Sequence, residues 1–210
     1  MYDVVIGVDP GNSGGITIIE NGGKISVFQM PIKTVKKVKK LKKEYDLQSI
    51  VALLKPFSGK NVLFVLERVA TRPGEGNSSG FNFGVGYGEL QGIAVALGFH
   101  LELVSPPVWK KDFSQLATLL FQKLKGQAKD LQDSLKSLKE KAPKQKYKTE
   151  VKQLKTEIAK LFREQKEEAK KAARELAASL QPSLASSFKL CKDDGKAESL
   201  LIAIFGKAHF

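Results

Sequence analysis

The sequence predicts an α/β protein in which helices flank a mixed sheet, and three observations support this fold class. Two near-continuous apolar runs, 2–9 and 61–67, have the β-branched composition of buried strands, and each ends in one carboxylate. The Pro-Gly-Asn-Ser-Gly-Gly cluster at 10–15 predicts a turn that returns the chain as a second strand. Later segments with apolar residues three and four apart predict the covering helices.

The elements of the first third follow from local patterns. Residues 24–32 predict a third strand, and the lysine-rich stretch Lys33 to Lys43 predicts a solvated loop or a short basic helix. Asp46 to Pro56 has helical apolar spacing, with Asp46 placed to cap its first turn. Residues 61–67 then form the strand that ends at Glu67.

A long loop is predicted to follow that strand. Arg68 to Gly80 is rich in Gly, Pro, Asn and Ser, so we expect an exposed loop beside the strand ends. The aromatic residues after it either stack on splayed bases or pack beneath the loop. Gly84 to Gly98 predicts a helix with a small-residue face, suited to packing on a sheet or on a twin helix, and His100 to Val104 predicts a further strand.

The segment 122–175 changes character. Its apolar residues repeat every three or four positions on both sides of Pro143, which predicts a basic helical hairpin inserted at about 122–165 into a single domain of residues 1–210. Glu164 to Leu180 predicts a further helix. The sequence leaves two roles open for the hairpin: an arm that binds DNA, or a coiled coil that is only solvated.

Composition and charge indicate the class of partner that the protein binds. The chain has 210 residues and a formal net charge of +13, an excess typical of proteins that bind nucleic acid. Lys33 to Lys43 carries seven lysines and no acid, and residues 122–175 carry 17 basic against nine acidic residues. One cysteine excludes an intramolecular disulfide, and the sequence contains no long apolar run and no leader segment, so we expect a soluble intracellular protein, bacterial or in a virus-infected cell.

Four acids form the candidate site. Asp9 and Glu67 end two strands, and Asp194 and Glu198 are four residues apart on one face of a predicted C-terminal helix. Oxygen-only clusters suit Mg²⁺ or Mn²⁺, and a metal pair supports phosphodiester hydrolysis. Turn and capping roles for the same acids are the structural alternative.

Five motifs, in order over about three quarters of the chain, resemble the RuvC family of Holliday-junction resolvases, with phage-type and organellar members most similar. They are Val-Asp9-Pro-Gly, Leu-Glu67-Arg-Val, Gly80-Phe-Asn-Phe-Gly-Val-Gly-Tyr-Gly88, Val-Ser-Pro-Pro-Val-Trp-Lys110 and Asp194-Gly-Lys-Ala-Glu198-Ser-Leu-Leu-Ile-Ala203. The resemblance implies an RNase H-like fold, a homodimer, and Mg²⁺- or Mn²⁺-dependent nicking of opposed strands in a four-way junction, with two ions at each site.

The resemblance also implies roles for individual residues. The metal ligands would be Asp9, Glu67, Asp194 and Glu198, and Lys110 and Lys166 would lie near the cleaved phosphate. Candidate DNA contacts are Arg68, Arg72, Phe81, Phe83, Lys110 and Lys111.

The chain departs from the family pattern at two points. Bacterial members have an aromatic residue where this chain has Ala70, so Phe81 or Phe83 would take over stacking. The last two acids are four apart here and three apart there, which leaves Asp193 and Asp194 as alternatives.

A DNA-junction endonuclease is therefore the function that the sequence indicates. Two other classes are open: a non-catalytic scaffold for branched nucleic acid, and an actin- or sugar-kinase-like ATPase. The ATPase fold needs a second phosphate-binding half. A chain of 210 residues that has no second strand–turn–strand segment like residues 2–20 leaves little room for it.

Overall fold

The computed structural model describes residues 1–37, 40–69, 77–113, 119–141 and 148–210. The elements follow the chain as β1 (Val4–Asp9), β2 (Gly15–Glu20), β3 (Ile25–Gln29), β4 (Ile32–Lys37), β5 (Lys40–Tyr45), α1 (Leu47–Leu54), β6 (Val62–Glu67), α2 (Asn77–Ala96), β7 (His100–Val104), α3 (Pro106–Lys111), α4 (Leu119–Lys141), α5 (Lys148–Leu180) and α6 (Asp194–His209).

A five-stranded mixed sheet carries the fold. Its strand order is β3-β2-β1-β6-β7. The strand β2 runs antiparallel to β1 and β3, whereas β1, β6 and β7 are parallel. This order with helices on the sheet is RNase H-like, so the predicted fold class is confirmed.

Alternation along β1 divides its side chains between two helical layers. Ile6 and Val8 belong to the hydrophobic core that also contains residues of α1 and α2. Gly7 and Asp9 point to the opposite face, where α6 packs. The strand is buried on both faces, which explains its nearly continuous apolar sequence.

The helix α6 lies very close to the sheet because glycine stands at the contact points. A methyl group on Gly7 would come within 2.7 Å of Ala203 Cβ and would overlap the backbone of α6. Less than one turn further along α6, a methyl group on Gly206 would lie 2.5 Å from Val65 Cγ2. The buried hydroxyls of Thr17 and Ser199 are hydrogen-bonded at 2.8 Å between the sheet and the helix.

The chain forms two compact units. The first contains Met1–Phe113 and Ala173–Phe210, and the second contains Ser114–Ala172. The second unit contains α4 and most of α5, where Leu124, Ala128 and Ile158 are buried as their apolar repeat predicts. The separate helix predicted from Glu164 is wrong, because α5 is continuous from Lys148 to Leu180 and no proline or cap interrupts it.

The prediction of a loop or helix at Lys33 to Lys43 is also wrong. Residues 32–37 and 40–45 are the strands β4 and β5, paired antiparallel with Ile32 opposite Tyr45 and Val35 opposite Lys42. The β-branched residues of this stretch favour strand, and pairing with a neighbouring strand outweighs the high lysine content.

Two boundaries complete the comparison with the sequence. Asp46 caps α1 as expected, and its carboxylate accepts hydrogen bonds from the backbone N–H and the hydroxyl of Ser49. The helix α2 begins at Asn77, so the last four residues of the predicted loop Arg68 to Gly80 are helical. Residues 70–76 lie outside the described residues.

None of the described helices has the length and apolar character needed to cross a membrane.

Candidate functional site

Two acids stand side by side at the carboxyl end of the parallel strands. Val8 of β1 pairs with Leu66 of β6, so Asp9 and Glu67 follow at the same level on neighbouring strands. Because side chains alternate, both acids project to the face covered by α6. Glu67 is only 7% exposed, and Asp9 is partly buried.

A lysine joins these acids to α6. Lys110, in the last turn of α3, donates a hydrogen bond to Glu198 Oε1 at 2.9 Å. Its ammonium also interacts electrostatically with Glu67 and Asp9. Lys110 therefore stands among three of the four acids predicted from the sequence.

A buried tryptophan orients Glu67. The Nε1–H of Trp109 donates to Glu67 Oε1 at 2.9 Å, and the indole is fully buried. Pro106 and Pro107 begin α3, which places Trp109 and Lys110 at adjacent positions facing the strand ends. One Glu67 oxygen is therefore held by the protein.

Burial and neighbouring charges shift two pKa values at this site. Burial raises the pKa of Glu67, nearby Glu198 adds to the rise, and Lys110 and the indole hydrogen bond oppose it. Burial alone would lower the pKa of Lys110, but Glu198, Glu67 and Asp9 together raise it above its ordinary value. Lys110 is therefore an ammonium ion at neutral pH.

The two candidate aspartates at the start of α6 have different partners. Asp194 forms an ion pair with Arg174 of α5, and both side chains are largely buried. The Oδ2 atom of Asp193 accepts the Leu190 N–H at 2.9 Å, and its Oδ1 atom pairs with Lys196 Nζ at 2.8 Å. Asp193 thus closes the turn before α6, and the alternative role of capping α6 itself is not observed, because no side-chain hydrogen bond caps this helix.

The donor set can be compared with the metal that the resemblance implies. Within the described ranges, no three His, Cys, Asp or Glu side chains are placed to hold one ion together. Carboxylate oxygens are nevertheless the ligands that Mg²⁺ and Mn²⁺ take, and Asp9, Glu67 and Glu198 already act together on one cation, the Lys110 ammonium. The donor chemistry and charge of these residues therefore suit a divalent cation, whereas their positions do not gather three of them around one ion.

A tyrosine fixes the turn after Asp9. The Gly11 N–H donates to the hydroxyl of Tyr45 at 2.6 Å. Burial raises the pKa of Tyr45 to about 12; the Gly11 hydrogen bond opposes this rise, and Asp9 adds to it. The ring fits against α2 at Gly86, where a methyl group would lie 2.8 Å from Tyr45 Cε2.

The remaining predicted residues are distributed over both units. Lys166 is exposed on α5 within the second unit, and the acid cluster around Lys110 belongs entirely to the first. Arg68 and Lys111 are exposed. Phe81 is 73% exposed, whereas Phe83 is partly buried. Arg72 and Ala70 lie outside the described residues.

Sequence reasoning missed three residues of the site. Trp109, Arg174 and Tyr45 each contact a candidate acid or the turn that carries one. Only Trp109 had a sequence signal, because it directly precedes Lys110 in a motif already singled out. The other two contacts join distant parts of the chain and have no local pattern.

No protein-family model matches the sequence, and no curated protein matches it. Among solved structures, the chain is similar to T. thermophilus RuvC in complex with a Holliday junction substrate, at 13% identity, a TM-score of 0.40, and coverage of 96% of this chain and 91% of that chain. It is also similar to a Thermus thermophilus RuvC structure, at 17% identity, a TM-score of 0.30, and coverage of 56% and 68%. The fold assignment itself rests on the strand order.

Proposed function

We propose that the chain is a metal-dependent endonuclease that resolves four-way DNA junctions by paired nicks in opposed strands, as a RuvC-type enzyme similar to phage and organellar members. The observation that carries this proposal is the Lys110 ammonium among Asp9, Glu67 and Glu198 at the carboxyl ends of β1 and β6. Buried and partly buried acids around a cation at this edge of an α/β sheet are typical of a reactive site rather than of a stabilising surface.

The acids would hold the metal. Asp9, Glu67 and Glu198, with Asp194 four residues before Glu198 on α6, supply only oxygen donors. Bound Mg²⁺ or Mn²⁺ would supply charge neutralisation at the phosphate and a water molecule of lowered pKa. Trp109 keeps one Glu67 oxygen in place, and Lys110 brings a fixed positive charge to the phosphate.

Positive charge outside the acid cluster supports a DNA substrate. The protein carries a net charge of +13, and the lysines of β4 and β5 lie in the same unit as the acids. Within the second unit, one side of α5 presents Lys152, Lys155, Lys160 and Arg163. Such rows bind phosphates irrespective of sequence, and their binding weakens with salt. This favours the arm over the solvated coiled coil as the role of the insertion.

A face of α2 supports a homodimer. Phe81, Val85 and Val95 are exposed on this helix. Between them, methyl groups added at Gly88 and Gly92 would meet no atom within 4 Å. A second copy packed on this face would place two sites against two opposed strands, as symmetric cleavage requires.

Cleavage of a labelled four-way junction tests the function. Linear duplex of the same sequence is the substrate control, and Mg²⁺, Mn²⁺ and EDTA are compared for the wild type and Glu67→Gln. Paired, metal-dependent nicks in the junction that disappear in Glu67→Gln while binding persists are the expected result. Binding without nicks under every metal condition would refute the nuclease.

Sedimentation tests the dimer separately. Gly88→Arg places a charged side chain on the open face of α2, and we expect it to shift the protein from dimer to monomer. Gly126→Arg changes an equally open helical glycine of α4 and serves as the control. A wild type that sediments as a monomer at micromolar concentration would contradict the dimer.

A second candidate is a non-catalytic scaffold for branched nucleic acid. It is favoured by the ion pairs of Asp194 with Arg174 and of Glu198 with Lys110, since acids used only for structure have such partners. The scaffold requires that Asp9→Asn leaves every activity unchanged. The nuclease requires that the same variant binds junctions and does not cut them.

A further inference from the structure

The two acids in the first turns of α6 are each paired with a basic side chain from another helix. Asp194 forms its ion pair with Arg174 of α5, and Glu198 forms one with Lys110 of α3. Lys110 also interacts electrostatically with both strand-end acids, so one cation serves three carboxylates and a second cation serves the fourth. In the part of the chain that the structure describes, no three of these acids are placed around one position, as expected if internal cations hold them in two groups.

Packing of α5 against α6 fixes the position of Arg174. Ala177, three residues after Arg174, and Ala197, three residues after Asp194, are fully buried in the same hydrophobic cluster. Residues three apart share one side of a helix, so these alanines direct the two charged side chains toward each other. The side chains of Arg174 and Asp194 are only 13% and 12% exposed. The ion pair is therefore enclosed by the first unit, to which both residues belong.

A guanidinium ion recognises a carboxylate and a phosphate in the same way. Its planar set of N–H groups donates two parallel hydrogen bonds to a pair of oxygens, whether these are bonded to carbon or to phosphorus. A DNA phosphate that enters beside Asp194 therefore competes with this carboxylate for Arg174. The Asp194 oxygens that are released in the exchange are of the kind that Mg²⁺ and Mn²⁺ take as ligands.

Low exposure makes the two exchanges depend on each other. Removal of one partner from a largely buried ion pair leaves the other charge uncompensated, which is strongly unfavourable. Asp194 cannot turn to a metal ion at low cost while Arg174 lacks another anion, and Arg174 cannot turn to a phosphate while Asp194 lacks another cation. When both ligands are present, every charge keeps a partner of opposite sign. Each ligand should therefore raise the affinity for the other, as thermodynamic linkage requires.

We propose that Arg174 is paired with Asp194 in the free protein and transferred to a DNA phosphate in the complex, so that the substrate and the divalent cation promote each other's binding. The inference rests on the proposed function, and it adds the regulation of that site, because a divalent cation alone leaves the acid set incomplete. It also gives the ion pair that favours a scaffold a role in a nuclease.

Binding of Mn²⁺ in the absence of DNA tests the free protein. A titration followed by EPR spectroscopy, which detects the unbound ion, compares the wild type with Arg174→Gln. The variant no longer offers a cation to Asp194, so we expect it to bind Mn²⁺ more tightly by roughly 5- to 150-fold, the usual range of coupling between sites. Lys189→Gln removes an exposed lysine five residues before Asp194 and should leave the affinity nearly unchanged. In an Asp194→Asn background, Arg174→Gln should have no effect, because the carboxylate that it releases is gone.

Addition of a four-way junction tests the exchange. Phosphorothioate linkages at the exchange point keep the negative charge and slow hydrolysis, so binding can be measured with the metal present. This junction should raise the Mn²⁺ affinity of the wild type by a factor in the same range, and that of Arg174→Gln much less. Neutral methylphosphonate linkages at the same positions should remove the increase in the wild type. Arg174→Lys keeps the charge without the planar pair of N–H groups, so it should bind Mn²⁺ like the wild type without DNA and lose most of the increase with the junction.

The outcomes separate this inference from the proposed function. Equal Mn²⁺ affinities of the wild type and Arg174→Gln without DNA, or an equal increase in both with the junction, would overturn the exchange and leave a nicking wild type as a nuclease. Weaker Mn²⁺ binding in both Arg174→Gln and Arg174→Lys would overturn it too, since the arginine would then build the site rather than occupy it. A wild type that neither binds Mn²⁺ nor nicks junctions would overturn both proposals.

Discussion

Trp109 donates its indole N–H to Glu67 Oε1 at 2.9 Å, and both side chains are buried. The bond favours the ionised carboxylate and fixes one of its oxygens. Trp109 is therefore a positioning residue that acts through Glu67.

Trp109→Phe keeps most of the ring volume and removes the donor. We expect junction nicking at neutral pH to fall by about 10- to 100-fold, the usual effect of losing a hydrogen bond to a metal ligand. Because the Glu67 pKa would rise further, the acid limb of the pH profile should move to higher pH. Val108→Ala, its exposed neighbour, is the control, and an unchanged profile in Trp109→Phe would contradict the positioning role.

Lys110→Gln removes the ammonium ion from among the acids. Since Lys110 competes electrostatically with any other cation there, we expect tighter Mn²⁺ binding by calorimetry together with slower nicking. Lys111→Gln, on the adjacent exposed lysine, should change neither property. Weaker Mn²⁺ binding in Lys110→Gln would show that the lysine organises the site rather than competing for it.

Glu67→Gln should stabilise the metal-free protein at neutral pH. The folded-state pKa of Glu67 is raised mainly by burial, so its ionisation opposes folding as the pH rises through that pKa. The melting temperature of the variant in EDTA should exceed that of the wild type at pH 7, and the difference should vanish below the ordinary glutamate range. For a chain of this size, each kcal/mol corresponds to about 2–4 °C. Equal melting temperatures at both pH values would mean that Glu67 is not strained by burial.

Gly7→Ala should separate α6 from β1. The added methyl would overlap the α6 backbone and lie 2.7 Å from Ala203 Cβ, so we expect a loss of about 1–3 kcal/mol or more in the free energy of unfolding. Nicking should fall as well, since α6 carries Glu198. Gly22→Ala, where a methyl meets no atom within 4 Å, should stay within about 0.5 kcal/mol of the wild type by chemical denaturation. Similar losses in both variants would contradict close packing at Gly7.

Asp193→Asn and Asp194→Asn should have different effects. The first leaves one of the two partly buried partners of Asp193 unsatisfied, so we expect a loss of roughly 1–3 kcal/mol, with nicking retained by the folded fraction. Burial alone would raise the pKa of Asp193, but its hydrogen bonds to Lys196 and Leu190 and the nearby lysine charges together hold it below the ordinary value. Its contribution to stability is therefore present at neutral pH and disappears as the pH falls through the folded-state pKa. Asp194→Asn should also lower the free energy of unfolding, because Arg174 loses its largely buried partner, but its folded fraction should not nick junctions. The reverse pattern would exchange their roles.

Local patterns predicted the frame of the candidate site. The two apolar runs placed Asp9 and Glu67 at the ends of β1 and β6, because a parallel strand that is buried on both faces has a nearly continuous apolar sequence. The spacing of Asp194 and Glu198 placed both acids in the first turns of α6. These features depend only on residues that are close together in the sequence, so they can be predicted before the fold is known.

Contacts between distant residues could not be predicted in this way. The β4–β5 hairpin has the composition of a solvated segment, and only pairing between its strands makes it regular. Trp109 and Glu67 are 42 residues apart, and no periodicity connects them. The continuity of α5 has a simpler reason, since no proline or glycine precedes Glu164 within this helix to stop it.

The seam between β1, β2 and α6 has a consequence for how the protein is made. Thr17 and Ser199 are 182 residues apart and are hydrogen-bonded, and Gly14 forms a bridge with Gly195. During translation, Asp9 is therefore synthesised long before Glu198. The contacts between β2 and α6 close a loop of almost the whole chain, so they form late in folding. Unfinished chains would lack the complete acid cluster, so cutting activity would be confined to molecules whose translation has passed α6.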